Sequence, residues 1–185
     1  MTDVSVSGDL ALQAELPVLI RTAGALARHC DRAEHNEQVD RSTLTRAGAE
    51  LRAMAWRLAA HYRVQLQQCY ADRLDMVESR HPLSGGGSFD GGDAVRISKS
   101  LLDLQRAQIR HDATYHSDVS GLPKYAQLRH FTLHLTKLSA LLLDAIEGEG
   151  REEFVSERIA DLFIFGIKLS TVANERLGDD VIAMT

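Results

Sequence analysis

Apolar residues recur at helical spacing through most of this chain. No strand pair stands out, and no hairpin turn is flanked by alternating apolar residues. Segment 16–33 places Leu19, Ala23, Leu26 and Cys30 on one face, with Pro17 suited to a first helical turn and residues 1–9 as a loose tail. From Ser42 a second stripe runs through Leu44, Ala47, Leu51, Met54 and Leu58. Beyond Tyr62 it drifts to Leu66, Cys69, Met76 and Val77, and His81-Pro82 stops it. A pattern of that length predicts one long helix to Arg80, or two with a bend. Asp93 is placed to cap a third helix over 94–115, where Ile97, Leu101, Leu104, Gln108, His111 and Tyr115 form a continuous face. Pro123 opens a fourth helix that Gly148 stops, and Ser156 is a candidate cap for the fifth.

The stretches Leu128–Glu147 and Glu157–Leu177 are the most apolar, around most of their circumference, as befits helices at the centre of a bundle. The expected fold is all-α: a helical bundle of about five helices with a central C-terminal hairpin. One domain covers residues 1–185, with N-terminal helices over 16–81, a flexible glycine-rich loop over 82–93 and a helical core over 94–177. That loop has no GxxxxGK[ST] pattern and no preceding strand, so it does not read as a phosphate cradle. Gly166, in mid-helix, predicts a close helix crossing. Apolar surface beyond what the covering helices can bury predicts a homo-oligomer, in the first place a homodimer.

Composition narrows the setting. Apolar residues are 44% and aromatics 5%, a mix that favours helix. A net charge of −5 gives no global attraction to nucleic acid or anionic membranes, and neither is expected as a partner. Cys30 and Cys69 are far apart and outside any CxxC pattern, which fits a reducing, cytoplasmic setting. Residues 1–9 lack the basic and apolar regions of a signal peptide, and Leu162–Leu169 is too short to span a bilayer.

Three groups of residues could carry chemistry. Asp144 and Glu147 lie one turn apart, as do Glu157 and Asp161, and an antiparallel hairpin would bring both pairs to one end. Four hard oxygen donors of this kind are suited to Mg²⁺, although acids also gather on solvated helix ends. The span 134–177, with LTKLSALLLDAIEGE followed by ERIADLFIFGIKLSTVANERLG, resembles the helical hairpin of the MazG-like nucleoside triphosphate pyrophosphohydrolases. Asp161 matches the Asp of that family's ExxD helix. Arg158 stands where its Glu would be, and Thr136, Lys137 and Ala140 stand where the ExxE helix carries acids. The resemblance implies an all-α, usually dimeric, nucleotide-binding or pyrophosphohydrolase-type protein with a degenerate Mg²⁺ site.

The second group is histidine. His111, His116, His130 and His134 fall within a short span, and His130 and His134 are one turn apart. His116, His130 and His134 around an open position would suit Zn²⁺ or another transition metal, and the arrangement resembles the three-histidine DinB-like bundles. The plainer alternative is a hydrogen-bonded cluster that fixes a turn. Glu78 and His81 match one ExxH half of a di-iron motif, but no second half exists. Three functions follow from the sequence: the MazG-like one, a histidine-cluster metal-binding bundle (enzyme or sensor), and a non-catalytic helical interaction protein.

Overall fold

The computed structural model describes residues 5–35, 37, 40–82, 89–146 and 152–178. They form eight helices: α1 (Ser5–Glu34), α2 (Ser42–Tyr62), α3 (Leu66–Arg80), α4 (Gly91–Arg96), α5 (Leu101–Tyr115), α6 (Ser117–Ser120), α7 (Lys124–Asp144) and α8 (Glu152–Val172). There is no β-strand among the described residues, and the bundle is all-α.

The count exceeds the expected five because two predicted spans break and the turn after α5 folds into the short α6. The 42–80 span breaks after Tyr62, where Arg63 adopts φ 55° in the left-handed region. The Val64 N–H donates back to the Ala59 carbonyl at 3.0 Å, which satisfies the end of α2 before α3 restarts the chain. The 94–115 span breaks at Ile97–Lys99. Ser100 then caps α5 by accepting from the Asp103 N–H at 3.1 Å. The break puts Ile97 off the apolar stripe and 77% exposed. At the other end, α1 starts ahead of Pro17 and carries it as an interior residue on its exposed side. The lost hydrogen bond and ring clash cost roughly 3 kcal/mol. Burial of Leu12 and Leu19 on the opposite side offsets it. Leu10–Glu34 is long and apolar enough to cross a bilayer by length and composition, and it packs here on α2 and α7.

The glycine-rich stretch is also corrected in part. Residues 83–88 lie outside the described residues, but Gly91–Arg96 is helical and Gly91 and Gly92 are buried. Asp90 caps this helix by accepting from the Asp93 N–H at 2.7 Å. A Cβ on Gly91 would lie 2.7 Å from both Glu78 Oε1 and His111 Cδ2. This glycine serves close approach, not flexibility.

α8 is the centre of the bundle, contacted by α2, α3, α5 and α7. Its main neighbour is α2, while that of α7 is α1, so the expected C-terminal hairpin is not the organising unit. The α2–α8 crossing explains the preference. A Cβ on Gly166 would meet Arg52 Cγ at 2.6 Å and the Gly48 carbonyl at 2.9 Å; one on Gly48 would meet the Gly166 carbonyl at 2.9 Å. Two glycines thus let two backbones touch. Arg52 seals the crossing by donating to the Gly166 carbonyl at 3.1 Å and to Ser170 Oγ at 2.5 Å. Burial pushes the Arg52 guanidinium below its ordinary pKa, with Glu175 opposing. Further along, Trp56 of α2 meets Phe163 edge-on, with ring centroids 6.2 Å apart.

Candidate metal centre

On the other side of α8 the packing opens. A cavity of about 180 Å³ lies between α3, α5, α7 and α8. Helical spacing supplies its walls. Asp161, Phe165 and Lys168 fall on one face of α8, and His130, His134 and Leu138 on one face of α7. His134 lies 5.4 Å from Phe165 between ring centroids, and the Lys168 ammonium sits 5.8 Å from the Phe131 ring centre.

One end of the cavity is polar and rich in imidazole. His111, Asp112 and His116 each offer a ligand atom, and these atoms all lie within 4.8 Å of one another. His111 is 1% exposed, and neither of its ring nitrogens has a hydrogen-bond partner. Its Nδ1 is 3.9 Å from Asp112 Oδ1, and its Nε2 is 3.5 Å from Glu78 Oε1. Tyr115 stacks on the ring at 4.9 Å. Asp112 accepts from Lys168 Nζ and Gln108 Nε2, each at 2.8 Å, through the same Oδ1. Burial pushes the Asp112 carboxyl up, but the Lys168 ammonium and these hydrogen bonds outweigh it and hold the group below the usual carboxylate range. Burial, then the Lys168 charge, lowers the pKa of His116. The same two causes lower that of His130. His134 falls to about 4 through burial, then Lys137 and His130. Burial and the nearby cations thus favour the neutral form of all three imidazoles, the form that binds a metal ion.

The other end is an ion-pair knot. Asp161 accepts from Arg73 Nε at 2.7 Å, and Arg158 NH1 lies 3.1 Å from its second oxygen. Arg158 also bonds Glu157 at 2.5 Å. The acids expected to gather around Mg²⁺ are therefore not found as one group. Asp161 is spent on arginines, Glu157 lies outside the cavity lining, Asp144 is exposed, and Glu147 lies outside the described residues. Arg158, where the MazG-like pattern has Glu, is one of the two arginines that occupy Asp161.

The expected histidine set is also redistributed. His116, His130 and His134 line one cavity, but the ligand-spaced group joins His116 to His111 and Asp112. His130 and His134 form a separate pair on α7, 4.5 Å apart between ring centroids. Sequence reasoning missed Asp112. A signal was available: it follows a stripe histidine and lies one turn after Gln108, which it bonds. Glu78 is aimed at His111, while His81 is exposed, so the ExxH pair does not converge.

A second group, Asp75, Glu78 and Asp90, also has ligand spacing. Each of its acids already has a partner: Arg96 on Asp75, the Asp93 N–H on Asp90, and the Gly91 N–H on Glu78 at 2.8 Å. That group ties α3 to α4. No protein family, no curated protein and no solved structure matches the chain.

Proposed function

We propose that this helical protein binds one divalent transition-metal ion through His111, Asp112 and His116, in a centre open to a small molecule. The observation that carries this reading is His111: a fully buried imidazole whose nitrogens make no hydrogen bond and face the Asp112 and Glu78 carboxylates at 3.9 and 3.5 Å, with His116 at ligand spacing beside it. A buried polar group left without a partner costs roughly 1–3 kcal/mol, and a coordinated ion would remove that cost. Nδ1 faces Asp112 and Nε2 faces Glu78, so a metal on Nδ1 leaves Nε2–H for the carboxylate, the usual way such a ring is oriented. Two imidazoles and a carboxylate suit Zn²⁺ and leave a coordination position free, as in catalytic rather than structural sites. When bound, such an ion acts as a Lewis acid and lowers the pKa of coordinated water. His130 and His134 line the same space as neutral hydrogen-bonding partners for a ligand.

Metal-stripped protein titrated with Co²⁺ and with Zn²⁺ tests the assignment. The expected result is one ion per chain, visible as Co²⁺ ligand-field absorption, with affinity lost by about 100-fold or more in His116→Ala. Absence of binding, or full affinity in His116→Ala, would overturn it. The Mg²⁺ pyrophosphohydrolase reading has less support, because its anchor Asp161 is occupied by Arg73 and Arg158. The proposal includes self-association through α7, where Leu133 is 64% and Leu143 is 43% exposed. Light scattering at micromolar concentration reads that part separately.

A further inference from the structure

The cavity is larger than a metal ion requires, and its charge is lopsided. Arg73, Lys137, Arg158 and Lys168 line it, against the carboxylates of Asp112 and Asp161. Lys168 is matched by Asp112, Arg73 by Asp161, and Arg158 by Asp161 together with Glu157. Lys137 makes no ion pair among the described residues, yet its charge reaches His134 and helps hold that ring neutral. The register of the helices places this charge. His134 faces Phe165, so Lys137, about one turn further along α7, lies toward the end of α8 that carries Asp161 and Arg158. Phe131, Phe165 and Leu138 supply apolar wall to the same cavity.

We infer that the cavity is a binding site for a small organic anion, with its carboxylate or phosphate group at Lys137 and its apolar body against Phe131 and Phe165. An ammonium with no carboxylate partner, beside a cavity walled by Phe131 and Phe165, attracts an anion to that end. The volume fits as well. A cavity of about 150 Å³ holds a benzene ring, and this one is about 180 Å³. This site goes beyond the metal centre and does not depend on it, since Lys137 is not among the proposed ligands.

Calorimetric titration of the full chain with benzoate, phenyl phosphate and the neutral isostere benzyl alcohol tests the inference. It is run on metal-stripped and on Zn²⁺-supplied protein. Either anion is expected to bind at least about tenfold more tightly than benzyl alcohol, with the advantage removed in Lys137→Gln. The ranking of benzoate against phenyl phosphate distinguishes carboxylate from phosphate as the preferred group. Anion binding read on the metal-stripped protein does not involve the metal, so the two proposals fail separately. Equal affinity for alcohol and anions, an unchanged preference in Lys137→Gln, or no binding of any probe would each overturn the inference. Lys137 is exposed on α7, so its substitution leaves the fold intact, and unchanged circular dichroism checks this.

Discussion

The two sides of α8 solve opposite problems. Toward α2 the chain removes side chains, so that Gly48 and Gly166 bring two backbones into contact. Toward α5 and α7 it retains long polar side chains, and these keep a space open. The first side gains stability from close packing, where small additions are costly. The second accepts poorly satisfied groups such as His111, a cost that a dedicated core would avoid. A stability optimum and a binding site thus share one helix, and substitutions on its two faces should behave differently.

The largest effect is expected at the crossing. Gly166→Leu forces the Arg52 side chain and the Gly48 backbone apart and should cost about 3 kcal/mol. For a chain of this size that is a loss of roughly 6–12 °C in Tm, read by thermal denaturation. If Gly166→Leu leaves Tm in place, the contrast between the two faces collapses. Next in size is Asp161→Ala, which strips two part-buried guanidiniums of their shared carboxylate and should cost about 2–3 kcal/mol in urea unfolding. A magnesium ligand would behave otherwise, with stability changed mainly in the presence of Mg²⁺.

His134→Leu sharpens the comparison from the cavity side. Its folded pKa of about 4 lies below the unfolded value, so the unfolded chain binds more protons between about pH 4 and 6.5. Stability from this group is therefore full above that window and falls as the solution is acidified through it. His134→Leu should be nearly neutral at pH 7 and flatten the drop in Tm between pH 6.5 and 4. An unaltered slope would mean that the ring is not held neutral by its surroundings. The smallest effect belongs to neither face: Arg129→Ala removes an exposed pair with Glu34 at 3.3 Å and should change unfolding free energy by less than about 0.5 kcal/mol.

The parts of this molecule legible in its sequence are those set by local spacing. The stripe from Leu44 to Leu58 is buried where the pattern put it, as are Leu104, Gln108 and His111 of the next one though not its Ile97, and Gly166 marks a real crossing. The misses share a cause. Arg63 turns the chain with no glycine or proline to announce it, because the backbone bonds at the end of α2 offset the strain. Gly91 and Gly92 resembled a linker, since composition cannot separate a glycine used for freedom from one used for contact. Asp161 stood out as an acid in an apolar helix, but its role depends on Arg73, a partner far away in sequence. The histidines were legible as a group; their division into a ligand cluster and a separate pair follows from how α5 and α7 meet α8, which no local pattern contains.

The edge-on contact between Trp56 and Phe163 gives the protein a built-in optical separation. Trp56 is the single tryptophan of the chain, and it sits on the α2 side of α8, away from the cavity lining. Emission excited near the red edge of tryptophan absorption therefore follows the loosening of the glycine crossing. Events in the cavity should instead register in the ultraviolet difference spectrum of Tyr115, which stacks on His111. One cuvette can thus watch the scaffold and the site as two channels, without a label on either.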